Sequence, residues 1–189
     1  MFPDPVVDHL LVVDVEATCC NNKTITKDDV EIIEIGAVLL HWPTLQSIST
    51  FQSYVQPVKK NRLTAFCTRL TGITQGQVDA APRFPEVLQQ MKVAIIQEHN
   101  IQFCSWSPFD WKQLKRDCAH HQIAVPKVFG HWDLQVLFRR QQKHSHNMSL
   151  VNALRSIDLQ FEGKRHSGID DAINTARLAS YCFPNIFQK

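Results

Sequence analysis

Asp14 and Glu16 stand one residue apart at the end of an apolar, β-branched run. Residues i and i+2 of a strand point to the same face, so these two carboxylates are pushed together beside a core. Such a pair repels, and each member raises the other's pKa. A hard divalent cation such as Mg²⁺ takes oxygen ligands and resolves the conflict; a solvated strand end would carry the same residues without chemistry. A second group lies in His166-Ser167-Gly168-Ile169-Asp170-Asp171-Ala172. Ser167 followed three residues later by Asp170 predicts a helix N-cap. His166 then lies on the incoming loop and Asp171 in the first turn, where negative charge is favoured. A histidine with an unperturbed pKa of about 6.5 suits a general base, and an ordinary capped helix behind a surface histidine is the plain alternative. A third feature is Asp110, which follows Cys104-Ser105-Trp106-Ser107-Pro108-Phe109. It leaves a strand and enters a helix, at the kind of strand end where open α/β sheets build sites. Together these residues could clamp two divalent ions roughly 3.5–4 Å apart, with His166 taking the proton of an attacking water. The chemistry such a site could do is metal-assisted hydrolysis, with the ions placed to stabilise charge on a phosphate. A glycosidase pair is excluded, because Asp14 and Glu16 on one strand face sit too close to flank a sugar.

The elements that must position these groups are legible from periodicity. His9 to Val15 reads as a buried strand and Val30 to Leu40 as a second. In the second, Ile33, Ile35, Ala37 and Leu39 share one face, while Glu34 and Gly36 interrupt the other. Ile48 to Val55 is a third, and short connections suggest an antiparallel meander. Phe84 to Glu98 carries Val87, Leu88, Met91, Ala94 and Ile95 at helical spacing. Ile101 to Trp106 predicts a central strand, and Pro108 to His121 a helix with proline in its first turn. Val128 to Trp132 is a fifth strand followed by a helix, Ser149 to Ile157 is amphipathic, and Gly168 to Tyr181 is the last helix. A meander followed by β-α-β-α units predicts an α/β fold: a mixed sheet of about five strands with helices on both faces.

The chain has 189 residues, enough for one domain with a real core, and neither linker nor repeat divides residues 1–189. The net charge of +2 is too weak a field to announce a nucleic-acid partner, though a local basic patch would suffice. Six cysteines include no C-x-x-C pair, which speaks against a zinc knuckle. With no secretory signal or apolar run of about 20 residues, the expectation is a reduced, intracellular and most simply cytoplasmic protein that does not meet a membrane. Trp106, Trp111 and Trp132 could stack bases, although core packing is the expected role of at least two. Arg139, Arg140, Lys143 and His144 could hold phosphates or form a solvated helix face. His120-His121 and His144-x-His146 lack the four-ligand company of a structural zinc. Cys19 and Cys20 read as packing thiols.

Asp14-Val15-Glu16-Ala17-Thr18-Cys19 resembles the first motif of the DEDD exonucleases. Asp110 fits the second, and the His166-to-Asp171 spacing is similar to the third motif of the histidine branch, DEDDh. Glu31 to Val38, Tyr54-Val55-Gln56-Pro57-Val58 and Leu70-Thr71-Gly72-Ile73 are similar to supporting segments of that family. The E-A-T-C run, Phe66-Cys67-Thr68 and H-S-G-I-D-D-A resemble its eri-type exoribonuclease subgroup, the relatives of the histone-mRNA 3′-exonuclease. The likeness runs from about Leu10 to Ala179. It implies an RNase H-like fold, two Mg²⁺ ions with Mn²⁺ able to substitute, and release of 5′-mononucleotides from single-stranded 3′ ends, RNA favoured over DNA. It also implies Asp14, Glu16, Asp110 and Asp171 as metal ligands, His166 as general base, and Ala17, Thr18 and Leu70 against the terminal nucleotide. Val15 replaces the subgroup's usual phenylalanine and is expected on the core face, without effect on activity. The extra nucleic-acid-binding domain common in the subgroup has no counterpart here, so the expectation is selection by the catalytic domain or a partner. A DNA-trimming enzyme and a non-catalytic RNA-end module are the alternatives. The module is disfavoured because all five positions stand.

Overall fold

The structure, a computed structural model, describes residues 7–96 and 100–183. β1 (His9–Ala17) has both faces covered, which is why it reads as an unbroken apolar run until the acids. It pairs antiparallel with β2 (Ile32–His41), which pairs antiparallel with β3 (Ser47–Tyr54), so the expected meander forms. Two short helices follow, α1 (Ala65–Thr71) and α2 (Gln75–Asp79), and then α3 (Phe84–Met91). The chain returns through β4 (Ile101–Ser105), parallel to β1, then α4 (Pro108–His120) and β5 (His131–Asp133), parallel to β4. The sheet order is β3-β2-β1-β4-β5. Four helices complete the described residues: α5 (Leu134–Gln141), α6 (Leu150–Arg155), α7 (Gly168–Arg177) and α8 (Ala179–Cys182).

The two sheet faces bury separate cores. Leu11, Val13 and Val15 of β1 pack with Phe84, Val87, Leu88 and Met91 of α3 and Leu114 and Cys118 of α4. Val15 thus lies on the expected core face. Leu10 and Val12, alternating to the other side, pack with Leu134, Phe138, Leu150, Leu154, Ala172 and Leu178 from α5 to α8. Asp14 and Glu16 continue this second row. They emerge where the hydrophobic layer ends and α7 begins.

Several expected boundaries move. β1 runs two residues past Val15, so Glu16 is inside the strand, and β5 is shorter and later than Val128 to Trp132. The Phe84–Glu98 helix is α-helical only to Met91 and widens into a π-helical turn over Lys92–Ile96; Glu98 lies outside the described residues. The Gly168–Tyr181 helix divides at Leu178. α1 and α2 were not expected, although both carry start signals: Thr64 Oγ1 accepts from the Cys67 N–H at 3.0 Å, and Thr74 with Gln77 forms a capping box. Gly72, at φ 74°, ends α1. Among the described residues, no helix is long and apolar enough to cross a membrane.

α7 meets the sheet at glycine. A Cβ on Gly36 of β2 would run into the backbone of Gly168 and Ile169, so helix and strand touch main chain to main chain. Gly36→Ala is expected to cost about 1–3 kcal/mol by overpacking. For a chain of this length that lowers the melting temperature by about 2–12 °C, a shift that thermal unfolding followed by circular dichroism would register.

Candidate active site

The first anchor is Asp110. Ser107 caps α4 by accepting the Phe109 N–H at 3.2 Å, and Pro108 follows in the first turn. Asp110 is thereby turned back toward the sheet and is only 4% exposed. The parallel pairing of β1 with β4 ends at Val12–Cys104. Beyond it, Asp110 Oδ1 accepts the Val15 N–H at 3.1 Å, joining α4 to the strand between the two first-motif acids.

α7 brings the second anchor. Asp171 Oδ2 accepts the His166 N–H at 2.7 Å, and His166 itself has φ 59°, a left-handed conformation. The loop is held in this shape by its own downstream helix. His166 Nδ1 lies 3.9 Å from Glu16 Oε1, and ligating atoms of Glu16, His166 and Asp171 all fall within 4.8 Å of one another. The structure therefore brings the five expected residues to one end of the sheet. The expected capping role of Ser167 is not realised: Ser167 occupies the N-cap position without a side-chain cap bond, and Asp170 instead accepts the Lys164 N–H at 2.9 Å. The exposed end of α7 is served from the sheet, where Glu34 Oε2 accepts the Gly168 N–H at 3.0 Å.

The electrostatics follow from burial of like charges. Desolvation first, then Asp110, Asp171, Glu16 and Glu34, hold Asp14 well above the ordinary carboxylate range. Burial and then Asp171 and Glu34 push Glu16 up to about 8. Burial raises Asp110 to about 7 against the opposing Val15 N–H, and Asp171 to about 6 against the His166 N–H. Burial, and secondarily Arg165, keeps His166 below its usual value, so its ring is neutral at pH 7. Among the described residues, His166 is the only basic side chain within ion-pair distance of the four acids. A buried, all-oxygen donor set of this kind fits a hard divalent ion.

The remaining expectations sort by exposure. Ala17 and Thr18 are buried, and the Thr18 hydroxyl accepts the Glu31 N–H at 3.0 Å. Leu70 on α1 is 38% exposed. Phe109, which the sequence reading passed over, is 48% exposed directly beside Asp110. Its signal was an aromatic residue at an N-terminal helix position that points away from the core. All three candidate tryptophans pack inward: Trp106 donates to the Met148 carbonyl at 3.1 Å, Trp111 sits on Phe103, and Trp132 contacts Trp42 and Phe183. Arg139 and Arg140 occupy the last turn of α5, where cations complement the helix's negative end. His120 and His121 come near Glu31, but its oxygens already accept the Val58, Lys59 and Lys60 N–H groups.

Comparison with known proteins agrees with this fold. The nuclease domain of 3′hExo, a DEDDh family member solved bound to rAMP, superimposes with a TM-score of 0.84 at 31% identity, covering 97% of this chain and 95% of that one. The fold and site thus define an RNase H-like exonuclease domain. The exonuclease family model RNase_T matches residues 11–179, and the chain belongs to that family, in its DEDDh branch with the eri-type exoribonucleases. ERI1 exoribonuclease 2 of Danio rerio is 36% identical over 191 residues, covering 90% of this chain and 34% of the relative. The 3′-5′ exonuclease Snipper of Drosophila melanogaster is 33% identical over 190 residues, covering 90% and 67%. The chain spans about a third of the length of the first of these relatives.

Raised carboxylate pKa values have a measurable sign. Without metal, the folded chain binds more protons than the unfolded one above about pH 4. The stability these acids contribute is complete below that pH and is lost as pH rises through about 6 to about 8. In chelator, the melting temperature is expected to fall as pH rises from about 4 to about 8, and Mn²⁺ to restore it more at the higher pH. Glu16→Gln should flatten the slope in differential scanning fluorimetry.

Proposed function

We propose that this chain is a 3′→5′ exonuclease that releases 5′-mononucleotides from single-stranded 3′ ends, RNA in preference to DNA. The carrying observation is the convergence of Asp14, Glu16, Asp110 and Asp171 on one strand end, with the His166 ring nitrogen 3.9 Å from Glu16. In this reading the four acids hold two divalent ions, Mg²⁺ with Mn²⁺ able to substitute. When bound, such ions supply the positive charge that the phosphate and the leaving oxygen require. The residues do the positioning. Asp110 is locked to β1 by the Val15 N–H and Asp171 to the incoming loop by the His166 N–H, so neither needs to reorganise during reaction. His166, 45% exposed at its side chain and neutral, takes the proton of the water that attacks the terminal phosphorus. The P–O3′ bond breaks, the 3′ oxygen of the shortened chain takes up a proton from solvent, and the last nucleotide leaves as its 5′-monophosphate.

Substrate contacts follow from exposure. Leu70 and Phe109 are the exposed apolar groups on α1 and α4 that would pack the last base, while Ala17 and Thr18 form the floor beneath it. The preference for RNA draws support from the names of the curated exoribonuclease relatives and from the rAMP carried by 3′hExo. Residues 1–189 act here as one exonuclease domain.

The test uses 5′-labelled RNA and DNA of matched sequence with Mg²⁺, Mn²⁺ or chelator. A ladder shortening from the 3′ end is expected, abolished by chelator, faster on RNA, and reduced about 100-fold or more in Asp14→Ala. Chelator-resistant shortening, or a fully active Asp14→Ala, would contradict the assignment, and faster cutting of DNA would reverse the preference. Loss of one stacked base is worth about 1–3 kcal/mol. Phe109→Ala should therefore raise the apparent KM about 5- to 150-fold, with little change in melting temperature.

A further inference from the structure

Glu34 is a fifth carboxylate beside the site, outside the four that would hold metal. It lies on β2 directly opposite Glu16 in the strand register and is 1% exposed. A carboxylate so deeply buried beside other acids is costly unless its oxygens are satisfied. Both are. Gln52 Nε2, from β3, donates to Oε1 at 2.7 Å, and the Gly168 N–H donates to Oε2 at 3.0 Å. The second bond joins residues 134 apart in sequence.

The Gly168 N–H is one of the unpaired donors at the start of α7, the helix that carries Asp171. The first four N–H groups of a helix have no partner within it. The residue at the N-cap position, Ser167, supplies no side-chain acceptor. Glu34 takes over that function from another element, and its charge also complements the positive end of the helix dipole. The contact is steric as well as polar. Gly168 presses its backbone on Gly36, and a Cβ on Gly168 would stand 3.1 Å from the Gly36 nitrogen, 3.2 Å from the Asp14 carbonyl oxygen and 3.4 Å from the Glu34 carboxyl carbon. The start of α7 therefore has one seat on β1 and β2, and Glu34 is its hydrogen-bonding member. His166 lies two residues upstream and Asp171 three downstream, joined to each other by the 2.7 Å bond across the same turn.

We propose that Glu34 is a positioning residue of the exonuclease site: by accepting the Gly168 N–H it fixes the first turn of α7, and through it the placement of His166 and Asp171 against Asp14 and Glu16. This rests on the exonuclease reading for its kinetic consequence but not for its structural one. Glu34 is not required as a metal ligand. Gln52, exposed on β3, fixes Glu34 from the opposite side and belongs to the same device.

The experiment compares wild type, Glu34→Ala, Glu34→Gln and Gln52→Ala by RNA-trimming kinetics, thermal unfolding and amide hydrogen exchange. Glu34→Gln retains an acceptor for the Gly168 N–H, whereas Glu34→Ala removes it. The expected result is a kcat lowered about 10- to 100-fold in Glu34→Ala, KM for RNA within about two-fold, and recovery to within about five-fold of wild type in Glu34→Gln. Gln52→Ala, a surface change, should lower kcat less, in the same direction and at unchanged melting temperature, so the proposal stays testable if Glu34→Ala does not fold. Exchange at the His166 and Gly168 amides should accelerate in Glu34→Ala and stay slow in Glu34→Gln. Wild-type kcat in a folded Glu34→Ala would overturn the proposal. So would a Glu34→Gln as impaired as Glu34→Ala, which would assign the effect to charge and not to the hydrogen bond. If wild type itself trims no RNA, the exonuclease reading fails, and the exchange data alone decide: unchanged amide protection in Glu34→Ala would refute the seating role.

Discussion

Everything about this chain's arrangement follows from placing several carboxylates in one poorly solvated space. Asp14, Glu16, Asp110 and Asp171 each have their ionised form disfavoured by burial before their mutual repulsion is counted. A flexible scaffold would relieve the repulsion by moving them apart. This one cannot, because each group is delivered by an element whose position is set elsewhere. β1 is sealed between two apolar layers, α4 is tied to β1 through Asp110, and α7 rests on the sheet backbone. The apolar cores thus hold in place a cluster of acids that protons neutralise at low pH and that suits a divalent cation at higher pH.

The two sheet faces divide the labour. On one side α3 and α4 bury odd-numbered β1 residues and orient Asp110. On the other, α5 to α8 bury even-numbered ones, and the acids take over that row where the layer ends. The site is at the carboxyl end of parallel neighbours β1 and β4, where the chain departs in opposite directions. The four acids converge there on strands and helices from distant parts of the sequence, and only His166 is carried by a connection, the one between α6 and α7. The left-handed backbone of His166 stores local strain that the Asp171 bond offsets, so the general-base candidate is pre-placed while its ring stays partly open to solvent.

The meander, the parallel return and the residues that meet at the strand end were legible in the sequence because their signals are local. Same-face spacing marked Asp14 and Glu16, and a strand-to-helix junction marked Asp110. What escaped was decided at long range. Glu34 looked like an interruption of a strand face, since its partner is Gly168, far along the chain. Asp170 satisfied a capping pattern with Ser167 yet was claimed by the Lys164 N–H. The start and stop residues of α1 were present in Thr64 and Gly72, but the helix is too short to show periodicity. The shift from α-helix to π-helical turn after Met91 left no mark in the hydrophobic pattern, because Ile95 stays buried through it.

The central claim is that this buried acidic cluster exists to hold divalent cations at the end of a nucleic-acid strand. Anomalous diffraction from crystals soaked in Mn²⁺ with a nucleoside 5′-monophosphate tests it most directly. Two manganese peaks about 3.5–4 Å apart, ligated by Asp14, Glu16, Asp110 and Asp171 and contacting the phosphate, are the predicted result. A cluster without manganese at saturating concentration, or manganese bound only beside Glu31, His120 and His121, would contradict it.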